Sequence, residues 1–317
     1  MSGVTRREFL GYCARLAAIM GLAPTMTPDV VAAVEALAAS QPRVLWLQGL
    51  SCSGCSVSLL NSAPTNVAEV ITRYISLKFH STLSATTGEA CGDIVKKMID
   101  TGGFFLVVEG SLPKGMREAC KMSGAFMNDT VAAAAHSAAA IVTVGTCASF
   151  GGIPAAANNP TGAIGVPAFL KGLGETKPIV SLPGCPCHPD WLVGTLVAII
   201  RSGLGKLDLD EQGRPKMFYG HTIHEQCPRF ADYERERFAK KFGEEGCLFQ
   251  LGCQGPRTYA DCTTRQWNGG TNTCIKAGAP CISCASPMFA RNEKMPFYTY
   301  RQDFNADITA QRKGEKE

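Results

Sequence analysis

Neither sign of charge predominates in this sequence. The 31 lysines and arginines nearly match the 27 aspartates and glutamates, and a net charge of +4 points neither to nucleic acid nor to an acidic membrane surface. Charged residues are scarce, at 18% against 45% hydrophobic residues, which excludes a disordered chain and describes a well-packed globular one. Long apolar runs are also lacking. The stretch from Leu10 to Ala23 is too short and too interrupted to span a membrane, and the segment from Gln311 to Glu317 is charged. The glycine-rich stretches, including Gly151-Gly152 and Gly269-Gly270, match no phosphate-binding loop. Only five histidines are present, and His80, His136, His188 and His221 have no matching partner set, so they are read as structural.

Cysteine is what the sequence has in excess. A chain of 317 residues has room for one large domain or two ordinary ones and does not need disulfide staples, yet it carries fifteen cysteines. Eleven of them, with His224, sort into three sets of four. The first is Cys52, Cys55, Cys147 and Cys185; the second is His224, Cys227, Cys247 and Cys253; the third is Cys262, Cys274, Cys281 and Cys284. Thiolates suit zinc or iron–sulfur clusters, and only clusters explain a row of three, which would move electrons. Taken singly the motifs are ambiguous. Cys52-x-x-Cys55 also suits a redox dithiol or half a zinc site, and the one-imidazole set also suits structural zinc. If Cys274 is a buried free thiol, its set holds three irons. Cys185 is preferred to Cys187 because Pro183-Gly184-Cys185-Pro186 places it directly at a strand end. Cys91 and Cys120 read as small buried hydrophobes, and Cys187 has no assignment.

The N-terminus reads as a targeting segment, residues 1–38. Thr5-Arg6-Arg7-Glu8-Phe9-Leu10 is a twin-arginine pattern, an apolar stretch follows, and Ala36-Leu37-Ala38 offers small residues for a signal peptidase. Cys13 would be lost with it. The twin-arginine route carries proteins already folded, so the thiolates behind this signal favour a preassembled metal protein over a disulfide framework.

Residues 41–205 alternate strands with helices. Strands are expected at Arg43–Gln48, within Val70–Phe79, and at Phe104–Val108, Ala140–Val144 and Pro178–Leu182. Helices are expected at Cys91–Ile99, Asp129–Ala139 and Trp191–Ile200. This rhythm predicts an α/β fold, a flavodoxin-like doubly wound parallel sheet. Cys52 and Cys55 follow the first strand, Cys147 the fourth and Cys185 the fifth, so all four should meet at the carboxyl edge of the sheet, where such sheets bind ligands. Glu109 follows the third strand at the same edge, either beside the metal centre or capping the next helix. From 206 to 317 strands vanish, and a largely irregular domain is expected with one amphipathic helix at about Arg229–Phe242, stabilised by metal ligation.

The segments C-S-G-C-S-V-S-L-L, V-E-G-S-L-P, G-T-C-A-S-F-G-G, P-G-C-P, H-x-x-C-P-R, L-G-C-Q-G-P, W-N-G-G and A-G-A-P-C-I-S-C together resemble the small subunit of nickel–iron hydrogenases, from the twin-arginine pattern to about residue 290. The resemblance implies three clusters in a line, with the Ni–Fe site on a large subunit, so that this chain carries no catalytic residue. It implies that Cys52, Cys55, Cys147 and Cys185 bind a proximal [4Fe–4S] cluster and that His224, Cys227, Cys247 and Cys253 bind the distal one. The medial site takes Cys262, Cys281 and Cys284. Most members have proline where this chain has Cys274, and their medial cluster is [3Fe–4S]. A fourth thiolate here looks like the nickel–iron–selenium branch, with a Ni–Fe–Se site on the partner and three [4Fe–4S] clusters. Val57 departs from the glutamate that many members carry after the C-x-G-C turn. Many membrane-bound relatives continue into an anchor helix that is not read here. The resemblance therefore implies a periplasmic heterodimer, soluble or peripherally attached, passing electrons to a multihaem c-type cytochrome. Two other readings compete. A quinone-reducing complex subunit would share the one-cluster half but leaves the last eight ligands unexplained. An exported zinc-stabilised binding module would contain no iron or acid-labile sulfide.

Overall fold

The computed structural model describes residues 6–62 and 75–290. Five strands run parallel: β1 (Arg43–Gln48), β2 (Ser76–His80), β3 (Phe105–Glu109), β4 (Ala140–Val144) and β5 (Ile179–Leu182). Their spatial order is β2-β1-β3-β4-β5, which is the flavodoxin-like order. β2 keeps only the end of the segment expected to hold it; residues 70–74 lie outside the described residues. β3 reaches one residue further than expected, and the pairing Gln48↔Glu109↔Val144 sets Glu109 at the end of the ladder.

Alternation along each strand divides the core in two. Val44, Trp46, Val107, Val142 and Val180 point to one face, while Leu45, Leu47, Leu106, Val108 and Ile141 point to the other. Both faces are covered, which is why the strands read as continuous apolar runs. Helices α1 (Arg6–Ile19) and α2 (Thr27–Ser40) form a hairpin on the first face. The chain continues with α3 (Gly54–Leu60), α4 (Glu89–Thr101), α5 (Met127–Ser137), α6 (Thr146–Phe150), α7 (Val166–Gly172) and α8 (Pro189–Ser202). α8 joins the hairpin on the first face, and α4, α5 and α7 contribute to the second. Proline at the first position of α8 and the His188 ring, which accepts from the Asp190 N–H, start that helix.

The segment read as a leader is folded against the domain. Cys13, Leu16, Ala17, Met20, Val30, Ala33 and Val34 are all buried in the core that holds Trp191, Leu192, Leu196 and Phe218. α2 packs along α8, and Gly194 gives the close approach of Phe218 and Met20 its room.

Beyond 206, the described residues hold no strand longer than an isolated bridge. The helix expected at about Arg229–Phe242 is a correction: it runs only over Phe230–Glu234. Glu236 takes a φ of 55° and turns the chain. Cys247 N–H then donates to Arg237 O at 2.7 Å, and Ala239 N–H to Cys247 O at 2.9 Å. Backbone pairing with the Cys247 segment outweighs the amphipathic pattern, because it satisfies buried amides that a longer helix would leave facing that segment. Among the described residues no helix is long and apolar enough to cross a membrane.

Candidate metal centres

The first ligand set sits where four strand ends meet. Cys52 lies in the β1–α3 turn, Cys55 in the first turn of α3, Cys147 in the first turn of α6 after β4, and Cys185 three residues after β5. Cys147 feels the charge of Cys52, and Cys185 those of Cys147 and Cys52; Cys55 feels Cys147, so the four sulfurs share one neighbourhood. The chain clears space round them. Gly145 has φ 89°, and a Cβ there would stand 2.5 Å from the Cys55 sulfur. Gly152 has φ 54°, and its Cβ would stand 2.8 Å from the Cys147 sulfur. Side chains at either position would fill the ground between the thiols, so glycine is needed for both backbone and clearance.

Glu109 stands beside this set, and the helix it caps is α3, which precedes it in the chain, rather than the one that follows. It is 2% exposed. Its Oε1 accepts the Cys55 N–H at 3.0 Å and the Ser56 N–H at 3.3 Å, two of the free amides at the start of α3. Its Oε2 accepts from Gln48 Nε2 at 3.0 Å, from Trp46 Nε1 at 3.2 Å and from the Ser56 hydroxyl. Ser56 Oγ also meets His80 Nε2 at 3.1 Å, and the His80 ring lies 4.8 Å from that of Trp46. Trp46, Gln48, Ser56 and His80 gave no signal in the sequence, because they come from β1, α3 and the end of β2 and meet only across the sheet edge.

The second set gathers in the irregular segment. His224, Cys227, Cys247 and Cys253 line one small cavity with Ile223, Phe249 and Ile275. The His224 ring is held by Tyr233 at 4.3 Å and Phe230 at 5.0 Å, and burial holds its pKa below the usual histidine value, which favours the neutral, metal-binding imidazole. The third set, Cys262, Cys274, Cys281 and Cys284, lines a cavity of about 370 Å³ that Cys185 also borders. Cys262 feels the charges of Cys284, Cys281 and Cys274, which places Cys274 with the other three.

The three sets follow one another. Cys284 feels Cys185 of the first set, and Cys281 feels Cys253 of the second, so the third set stands between the other two. Burial pushes the thiols of Cys55, Cys147, Cys227, Cys262 and Cys281 up, Cys185 and Cys284 to about 11 and Cys247 to about 12. Protonated thiols do not ligate, so these groups need bound cations to become thiolates. Among the described residues, no three His, Cys, Asp or Glu side chains converge closely enough to hold a single metal ion. Ligands of a multinuclear cluster are spread around it instead. Donor type, cleared space and spacing fit iron–sulfur clusters.

The remaining cysteines and histidines have other surroundings. Cys187 is 2% exposed, its thiol turned towards His188 O at 3.5 Å, while its N–H donates to the Cys55 sulfur at 3.3 Å. The Cys91 thiol donates to Thr86 O, and Cys120 packs on the second core. His188 Nε2 meets Gln266 O at 2.9 Å beside a buried network in which Arg265 contacts Asp190 and Asp261, and Trp191 donates to Asp261 at 2.8 Å.

His80 and His188 give a pH prediction. Burial lowers both from 6.5 to about 4. Between those values the unfolded chain binds protons that the folded one does not. The stability these rings contribute is therefore complete above about pH 6.5 and is lost as pH falls towards 4. Denaturation midpoints measured across this window should decline. The slope should be shallower in His188→Asn, which keeps a helix-capping side chain without the titrating ring.

Comparison with known proteins finds hydrogenase small subunits among the relatives of this chain. The pattern of the family described as the C-terminal part of the NiFe/NiFeSe hydrogenase small subunit matches residues 219–298, the segment with the last eight ligands. That described as "NADH ubiquinone oxidoreductase, 20 Kd subunit" matches residues 52–199. The chain is 40% identical to the periplasmic [NiFeSe] hydrogenase small subunit of Desulfomicrobium baculatum, over 93% of this chain and 98% of that one. It is 37% identical to the periplasmic [NiFe] hydrogenase small subunit 1 of Nitratidesulfovibrio vulgaris, over 93% of each. Among solved structures, the recombinant [NiFeSe] hydrogenase from Desulfovibrio vulgaris Hildenborough superimposes with a TM-score of 0.78 at 43% identity, covering 83% of this chain and 99% of that one.

Proposed function

This chain belongs to the nickel–iron hydrogenase small-subunit family, and from that premise we propose that it relays electrons through three [4Fe–4S] clusters between a Ni–Fe or Ni–Fe–Se site on a partner large subunit and a c-type cytochrome. The observation that carries this reading is the single row of ligand sets, with Cys284 beside Cys185 and Cys281 beside Cys253. Iron–sulfur clusters, when bound, take up and release single electrons. The proximal ligands are Cys52, Cys55, Cys147 and Cys185. The medial ligands are Cys262, Cys274, Cys281 and Cys284, and the distal ligands are His224, Cys227, Cys247 and Cys253. The imidazole makes the distal site less negative, which raises its potential relative to an all-thiolate one. Around the distal set the buried side chains of Ile223, Phe249 and Ile275 limit access of water.

In this reading the carboxyl edge is buried against the large subunit. Val57, Leu60 and Ile153 are 56%, 47% and 50% exposed close to Cys52, Cys55 and Cys147, an apolar rim suited to an obligate partner. The periplasm is the compartment, as in the names of the relatives, and residues 1–38 are the twin-arginine leader. The two domains are residues 41–205, with the proximal cluster, and 206–317, with the others. Metal analysis of the heterodimer tests the reading: this chain should contribute about twelve irons with matching acid-labile sulfide, four for each cluster. Zinc, or iron for one cluster alone, would refute it.

A further inference from the structure

The ligand sets touch at two places, and each contact includes a hydrogen bond to a carbonyl. Between the medial and distal sets, Cys281 N–H donates to the Cys253 sulfur at 3.4 Å, and Gln254 N–H donates to Cys281 O at 2.7 Å. Both of these come from the backbone. Between the proximal and medial sets, the Cys185 backbone amide lies close to the Cys284 sulfur and favours negative charge there, and both border the medial cavity, while the bond to the carbonyl is made by a side chain. The Thr146 hydroxyl donates to Cys284 O. The Thr146 hydroxyl oxygen in turn accepts the Gly184 N–H at 2.8 Å, and Thr146 N–H returns a bond to Gly184 O at 3.0 Å.

Thr146 directly precedes the proximal ligand Cys147, and Gly184 directly precedes the proximal ligand Cys185. One hydroxyl, 1% exposed, therefore joins the segments of two proximal ligands to a medial one. A hydroxyl is suited to this because it donates and accepts at once. Valine has nearly the same shape but would leave a buried N–H and a buried C=O unpaired.

We propose that Thr146 is a positioning residue of the electron relay: its hydroxyl sets the separation of the proximal and medial ligand sets and keeps the Cys185 amide against the Cys284 sulfur. The inference rests on the ligand sets assigned above. Hydrogen bonds to cluster sulfurs stabilise the more negative, reduced state and so raise the potential. Without the Thr146 tie, the segment carrying Cys284 is free to move from Cys185, and the medial potential should fall.

Thr146→Val and Thr146→Ser, each in the heterodimer, test this by redox titration followed with electron paramagnetic resonance, alongside iron content. In Thr146→Val the medial midpoint should move down while the distal one stays in place, and Thr146→Ser should keep wild-type values for all three. If the valine variant loses iron, selective loss of the medial cluster supports the proposal, and loss in equal proportion from all three overturns it. Wild-type midpoints in a fully loaded Thr146→Val also overturn it, as do equal shifts of all three clusters or a failure of serine to restore the values. A wild-type protein lacking three iron–sulfur signals would instead refute the ligand assignment, and this inference with it.

Discussion

Replacement of Cys274 by proline is expected to remove one iron from the medial cluster, turning a [4Fe–4S] centre into a [3Fe–4S] one, and to raise its midpoint potential. Cys274 borders the medial cavity and lies within electrostatic reach of both Cys262 and Cys284. Its N–H donates to no backbone carbonyl among the described residues, so the missing amide proton of proline costs no backbone hydrogen bond there. The thiolate is lost together with its negative charge. Replacing two thiolates by two imidazoles in two-iron centres raises the potential by roughly 250 mV or more. Loss of one thiolate should therefore raise it on the order of 100 mV. The oxidised variant should show a stoichiometric [3Fe–4S] paramagnetic signal that the unmodified protein lacks. If the unmodified protein already shows that signal, and Cys274→Pro leaves it unchanged, Cys274 is not a ligand and the likeness to the selenium branch loses its main support.

The second large effect is expected at Glu109. Glu109→Ala leaves the Cys55 and Ser56 amides, the Ser56 hydroxyl, the Gln48 amide group and the Trp46 indole without their common acceptor. Each buried donor left unpaired costs about 1–3 kcal/mol, and water entering the vacated volume would meet some of them. A net loss on the order of 3–5 kcal/mol follows. Because two of these donors start the helix that carries Cys55, the loss should fall on the proximal cluster first. Iron content should drop by about one cluster in three, while Glu109→Gln, which keeps one acceptor oxygen, should lie between the two. Full iron content and an unchanged unfolding midpoint in Glu109→Ala would show that the carboxyl group only fills space.

Val57 bears on the interface proposed above for a large subunit. The side chain is exposed next to the cysteine turn, so replacing it with a polar residue would cost this chain little by itself and would act mainly on association. The N-terminal hairpin poses the opposite case. Leu16, Val30 and Val34 cover α8 and Phe218, and removal of a leader that ends near residue 38 would bare an apolar face beside α3.

The sequence by itself determined the donor chemistry, the sheet and the meeting of the first ligand set. Apolar runs at 43–48, 104–108, 140–144 and 178–182 mark strands buried on both faces, and a residue directly after a strand must emerge at its carboxyl end. Both inferences need only local information. The spacing of the other eight candidate ligands sorted them into sets, but their order in space was decided by the tertiary structure, which lays Cys284 beside Cys185 and Cys281 beside Cys253. The same holds for the acceptor role of Glu109, the bridge through Thr146, the docking of the hairpin on α8 and the early end of the helix at Glu234. Each depends on a partner far away in the sequence or on a competing backbone pairing. A hydrogen bond forms only where burial excludes water and geometry aligns donor with acceptor, and neither condition is written in the residues on one side of the contact.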